Sequence, residues 1–537
     1  MTPFRRFRSD AVRQIPSLHH EHSSYQWWVL ANVMIGTFMA VLDATIVNVA
    51  LPKIMSTFGV DVDKVEWVLT AYLLVFAVML TASGWIADHL GYKRTYLLAL
   101  LLFTFGSFLC GIAWDEDALI AFRVIQGMGA GLLMPVGMAI VTREFPPHRR
   151  GVAIGFWSIA AAASVSLGPL IGGFLIDNFT WATIFDVNVP VGIMGMFATI
   201  VIQREYRTEH VRTFDVGGFV TMALFLTSLL LGLTSGNASW NSGGWTSTYV
   251  VTCFILAGLG LTGFLVIELN IRHPLVDLSL LKNFNFGMTN LVLFIFGLGM
   301  FGSTFLLPLY LQNSLGYTAY QAGLVFLPVG ILQGMMAPIA GIFSDKGNPK
   351  IPALVGIFLM SLSFFMNYTL NLFSESAQIM GALYVRGLAM GLLFTPLSTL
   401  ALEEIPRQKM AQASAMFNVI RQVGGSFGVA IFGALLTRRT LFHSAFYGQA
   451  LDQYSPAFKS AAARLTMFAQ HSIGGTMAES AARAKAMIAS HVFNQAFVSA
   501  IGDDFFFAGF VSLLCAIPIA FLRVRRKRHA AHAPALE

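Results

Sequence analysis

Apolar stretches of roughly twenty residues recur along nearly the whole chain, and they constrain its fold more than any other feature. They lie near residues 28–51, 66–86, 95–113, 118–142, 152–176, 184–203, 215–234, 248–269, 286–308, 321–343, 351–372, 377–400, 411–436 and 499–522. About 20 such residues carry an α-helix across the ~30 Å hydrocarbon core of a bilayer. Backbone groups in lipid must be satisfied within the segment, so these stretches are expected to be helices. Only 11% of the residues are charged, against about 25% in soluble domains. An all-α polytopic membrane protein with fourteen spans follows, and an even count puts both termini on one side.

The loops orient it. Those after even-numbered spans carry Lys93 and Arg94, then Arg143, Arg149 and Arg150, then Arg204, Arg207 and Arg212, and later Lys346, Lys350, Arg407 and Lys409. Those after odd-numbered spans carry Asp115-Glu116-Asp117, Asp177 and Glu375. Basic loops face the cytoplasm, so cytoplasmic termini are expected. The net charge of +7 gathers at the two ends, at Arg5, Arg6, Arg8 and Arg13 and at Arg523, Arg525, Arg526, Lys527 and Arg528. Beside membrane spans this is an orienting signal, and nucleic acid is not an expected partner.

An internal repeat divides the chain. Gly84-x-x-x-Asp88-x-x-Gly91 after span two returns as Gly341-x-x-x-Asp345-x-Gly347 after span ten. Arg123 followed by Gly131–Pro135 in span four returns as Arg386 followed by Gly391–Pro396 in span twelve. The organisation expected is a cytoplasmic tail (1–26), a six-helix bundle (27–203) and two extra spans with linkers (204–284). A second six-helix bundle (285–522) and a basic tail (523–537) follow. The stretch 437–498 reads as a loop opposite the termini, with a solvated helical hairpin around 456–469 and 477–490.

Few charges lie within the spans. Asp43 in span one is the most informative, because a carboxylate at bilayer depth costs about 3 kcal/mol on insertion scales. It is a static structural acid or a proton carrier. Arg123 is the cation expected beside it, and Gln126, one turn on, can orient the pair. Arg386, Arg421 and Gln422 are candidates for a cavity in the second bundle. The turn Gly84–Arg94 reads as a gate, with Gly84, Asp88, Gly91, Lys93 and Arg94 as its parts. Asp88 can accept from unpaired N–H groups at a helix N-terminus. Gly168-Pro169 and Gly172-Gly173 in span five combine a helix-weakening proline with close-contact glycines. Phe38, Phe76, Phe301 and Tyr310 are candidate substrate contacts. The chain has no Gly-x-x-x-x-Gly-Lys-Ser/Thr phosphate loop, no zinc pattern in a span and no nucleophile–base arrangement. His19-His20-Glu21-His22 reads as a solvated tether. An ion gradient is the expected energy source, and no cofactor or enzymatic activity is expected.

These motifs resemble the major facilitator superfamily, and within it the fourteen-span drug:proton antiporters of the EmrB/QacA type. The resemblance covers roughly 27–522. It rests on Leu42–Pro52, Gly84–Arg94, Arg123-x-x-Gln126-Gly127-x-Gly129-Ala130 and Gly168-Pro169-x-x-Gly172-Gly173. Trp181-x-x-x-Phe185-x-x-Asn188-x-Pro190, Leu311-Gln312-x-x-x-Gly316-Tyr317 and Arg421-Gln422-x-Gly424-Gly425 extend it. Ser164 replaces the usual first glycine of the span-five motif. The resemblance implies a proton-driven exporter of hydrophobic or amphipathic compounds in a cell inner membrane, working by alternating access. The long stretch before span fourteen is similar to the EmrB branch, which implies a periplasmic adaptor and an outer-membrane channel as partners. An exporter of one metabolite, fatty acid or siderophore shares every motif. A proton-coupled importer shares the fold, and a receptor or membrane enzyme would need a site not built around Asp43.

Overall fold

A computed structural model describes residues 23–523 except 61, 208–212, 237, 239, 272–273, 305, 407–408 and 453. The histidine tether and most of both basic ends lie outside the described residues. Among the described residues, fourteen helices are long and apolar enough to cross a membrane. Spans one to six are Ser24–Phe58, Trp67–Leu90, Tyr92–Gly111, Glu116–Glu144, Arg150–Asn178 and Thr183–Ile202. Spans seven and eight are Val216–Ser235 and Thr248–Asn270. Spans nine to fourteen are Phe284–Ser314, Tyr320–Lys346, Lys350–Asn367, Ser376–Glu403, Met410–Gln449 and Met477–Phe521. Spans one to six form one bundle and nine to fourteen the other.

Two seams join the bundles. The longer runs between spans five and ten, where small residues let backbones meet. A Cβ on Gly155 would lie 2.5 Å from the Ala337 carbonyl, and one on Gly323 would lie 2.7 Å from Pro169. At the termini side a Cβ on Gly341 would lie 2.3 Å from the Gly151 carbonyl. Asp345 closes this end. Its carboxylate accepts from the backbone N–H groups of Gly151 and Val152, each at 3.0 Å, at the first turn of span five. Those N–H groups have no intrahelical acceptor, and the helix dipole favours an anion there. The second seam runs between spans two and thirteen, where Gly84 abuts the backbone of Gln412. Spans seven and eight flank it. Leu229 and Leu233 pack with Ala257 and Ala430, and Leu226 and Leu230 face Ala77, Leu80 and Val419.

Both expected arms of the 437–498 stretch are helical, but the stretch also carries continuations of the flanking spans. Span thirteen continues as one helix to Ala450, and span fourteen begins at Met477 and runs unbroken to Leu514. Neither segment contains proline, so nothing stops the helices where the apolar pattern ends. Only Pro456–Ile473 is a separate helix. It starts at Ser455, whose side chain accepts from Phe458 N–H, and ends at Gly474 with φ 75°. The two extensions are tied together. Arg439 Nε donates to Asp503 at 2.5 Å, His443 Nε2 lies 2.7 Å from the same oxygen, and Tyr447 bonds Ser499 at 2.9 Å.

Gly341→Val is expected to force the span five–ten seam apart, at the cost of about 1–3 kcal/mol usual for overpacked interiors. A lower Tm in detergent would show it. A cysteine placed at buried Ser344 should also react faster with a thiol reagent in that background.

Candidate functional site

Asp43 and Arg123 are each 0% exposed and form an ion pair at 2.5 Å inside the first bundle. Five helices build the site. From span four, Arg123 Nη1 donates to Asp43 and, at 2.6 Å, to Gln126 Oε1, while its Nε donates to the Val68 carbonyl of span two at 3.1 Å. Gln126 Nε2 donates to the other Asp43 oxygen at 2.8 Å and to Ser107 of span three at 3.0 Å. Asn188, in span six, donates to the same Asp43 oxygen at 3.3 Å and to Ser107 at 3.1 Å. The guanidinium lies 4.0 Å from the centre of the Tyr72 ring. Tyr72 is itself fixed by a bond to the Ala40 carbonyl of span one at 3.1 Å.

Local sequence explains this convergence. Arg123 and Gln126 are three apart and share one helix face. A Cβ on Gly106 would lie 2.6 Å from Gln126 N, so the glycine lets span three approach and Ser107 reach the network. The Trp181–Pro190 motif ends with Asn188 beside Asp43, and the Phe185 carbonyl accepts from Ser107 at 3.0 Å. Ser107 and Tyr72 were not legible as site residues. A serine and a tyrosine in apolar helices carry no pattern of their own, whereas the position of Asn188 in that motif was a usable signal.

The span-five motif abuts span one one turn beyond Asp43 on one side and span ten on the other. A Cβ on Gly168 would lie 2.1 Å from Thr45 Oγ1, Gly172 packs on Ile46, and Pro169 packs on Gly323. A Cβ on Gly173 would lie 3.3 Å from Tyr320 of span ten. Ser164 adds a cross-link in place of the usual glycine, donating to the Phe38 carbonyl at 2.9 Å.

Several expected site residues are placed elsewhere. Glu205 accepts from the backbone N–H groups of Lys93 and Arg94 at 3.2 and 3.3 Å, and Lys93 Nζ bonds the Ile200 carbonyl. These contacts join the loop to the end of span six and the segment that follows it. Gly91 has φ 94°, and a Cβ there would lie 2.2 Å from Glu205 Oε1. Asp345, the counterpart of Asp88 in the shortened second copy, makes a clasp of the kind expected of Asp88, at the first turn of span five. Gln422 lines the gap with spans two and seven. Tyr310 is fully buried, with its hydroxyl bonded to the Asn371 carbonyl at 2.6 Å, and offers a ligand no surface. Phe76 stacks on Tyr72. Arg386 is buried against Phe364 and Phe505 of spans eleven and fourteen. Span fourteen also holds Asp504, 0% exposed, with neither oxygen meeting a hydrogen-bond donor among the described residues.

Two six-helix bundles, one of them built around a buried ion pair, make up the membrane-spanning architecture. Residues 33–429 match the model of the Major Facilitator Superfamily, and the chain belongs to that family. Multidrug export protein EmrB of Haemophilus influenzae is 32% identical over 489 residues, 90% of this chain and 93% of that one. Multidrug transporter protein MdtP of Bacillus subtilis is 32% identical over 415 residues, 77% of this chain and 75% of that one. The solved structure of the proton:xylose symporter XylE superposes with a TM-score of 0.58 at 13% identity, over 94% of this chain and 97% of that one, a likeness of fold. The chain is a transporter and not an enzyme.

Arg123→Ala is expected to cost about 3–5 kcal/mol, because it leaves Asp43 buried and unpaired. Asp43→Ala together with Arg123→Ala should cost less than the two singles summed, read as Tm values in one detergent. Asp504→Asn is expected to leave Tm unchanged or raise it, since no hydrogen bond to the carboxylate is lost.

Proposed function

We propose that this chain exports hydrophobic or amphipathic drugs across a cell inner membrane in exchange for protons, by alternating access. The observation that carries the proposal is the placement of Asp43. Its carboxylate is held by three donors from spans four and six, while the next turn of its own helix abuts Gly168. Gly168-Pro169 in turn faces the seam with span ten. Protonating Asp43 removes the charge that Arg123 holds. Span one is then freer to shift against span five, and span five against the second bundle. Arg123 stays charged throughout, so it tunes Asp43 without titrating. Gln126 and Asn188 orient the carboxyl oxygens. Gly84, Asp88 and Asp345 belong to the gate at the termini side.

The names of the EmrB and MdtP relatives support drugs as cargo. The energy suffices. One charge crossing about 100 mV releases about 2.3 kcal/mol, which sustains roughly a fifty-fold gradient of a neutral solute at about 1.4 kcal/mol per decade. No cofactor is needed. The helical extension formed by 437–498, opposite the termini, is proposed as the docking element for a periplasmic adaptor that leads to an outer-membrane channel.

In proteoliposomes, Asp43→Asn is expected to abolish drug-driven proton flux and uphill export while drug still binds. Proton-coupled export at the wild-type rate would overturn the assignment. Replacing residues 456–473 by a short linker should leave export across a single membrane intact and remove whole-cell resistance. Resistance at the wild-type level would rule out docking there.

A further inference from the structure

Arg421, in the middle of span thirteen, is a cation that the proton site does not use. Its guanidinium lies 5.8 Å from the ring centres of both Phe301 in span nine and Phe394 in span twelve. Among the described residues no carboxylate pairs with it. Its Nε is buried without a hydrogen-bond partner, and its Nη2 makes one long contact, 3.4 Å, to Asn418 Oδ1. The location is inter-bundle. The Phe394 ring lies 6.1 Å from that of Trp157 in span five, and Trp157 donates to Thr37 of span one at 2.8 Å. Arg421, Phe301, Phe394 and Phe38 are nonetheless partly exposed.

We infer that Arg421 is the headgroup subsite for an anionic amphiphile, with Phe301 and Phe394 forming its apolar wall. A guanidinium of low hydration, backed by rings and lacking an acid, presents a fork of donors matched to a carboxylate or sulfonate. Among the described residues no other charge within the spans, Asp504 included, forms an ion pair with it. Asp43 and Arg123 neutralise each other and are fully buried, and Arg386 is buried behind span twelve. A cationic amphiphile placed against Arg421 meets an unscreened like charge in a low-dielectric site. Such a substrate class presupposes the export function proposed above, and narrows it from amphipathic compounds to those with a negative headgroup.

The test uses the full-length protein in nanodiscs of zwitterionic lipid, with no gradient. Three probes of one chain length are compared by equilibrium binding: decanesulfonate, decanol and decyltrimethylammonium. Wild type is expected to bind the sulfonate at least about tenfold more tightly than the ammonium. Arg421→Gln is expected to erase that preference and leave decanol affinity unchanged. Arg421→Cys gives the same comparison within one folded protein, before and after aminoethyl methanethiosulfonate restores a positive charge. The sulfonate preference should return only after modification. Equal or tighter binding of the ammonium by wild type would overturn the subsite, as would a preference that survives Arg421→Gln or ignores the modification. The outcomes separate from those of the export proposal. Loss of proton coupling leaves the binding preference standing, and so does a failure of vesicles to accumulate any of the probes.

Discussion

The buried pair of Asp43 and Arg123 is the interaction on which the first bundle depends. Two charges at 0% exposure carry a desolvation penalty of several kcal/mol each, which mutual attraction offsets only with good geometry and further hydrogen bonds. Those further bonds come from Gln126, Asn188 and the Val68 carbonyl. Spans one, two, four and six are thereby fixed to one point, and Ser107 adds span three. The position of each helix therefore follows from satisfying one carboxylate. A change in that carboxylate's charge reaches all of them.

The two halves of the repeat use the same residues differently. Arg123 has its acid, while its counterpart Arg386 has none and rests on the rings of Phe364 and Phe505. The fuller loop motif around Asp88 has its basic residues engaged by Glu205 within its own bundle. The shortened copy supplies Asp345, whose clasp on span five crosses between bundles. Among the described residues the first bundle holds the fully buried ion pair, while Arg386, Arg421 and Asp504 of the second form none.

Much of the site was legible because lipid makes polar residues conspicuous. Asp43, Arg123 and Gln126 stand out in apolar helices, and their pairing follows from charge and spacing. Asn188 was visible only as part of a motif, and Ser107 and Tyr72 were not visible at all, since their roles depend on which helix faces them. Asp504 escaped notice because it lies near the end of an apolar stretch, where an acid reads as an interfacial residue. Tyr310 and Gln422 were misplaced for a related reason. A helix one residue out in rotation turns a side chain by about 100°, from a cavity to a seam.

The sequence by itself determined the number of spans, their division into two repeated halves with two extra helices, and the identity of the intramembrane ion pair. Backbone satisfaction in lipid and the cost of burying charge leave few alternatives, and both act on residues one at a time. Tertiary structure alone decided that Asp345 caps span five at the termini side, that spans thirteen and fourteen extend as joined helices to Ala450 and from Met477, and that Arg421 lies near Phe301 and Phe394 while Arg386 rests on Phe364 and Phe505. These outcomes depend on helix rotation and close backbone approach at glycines such as Gly151, Gly341 and Gly168. Such contacts exist only once two distant segments pack together.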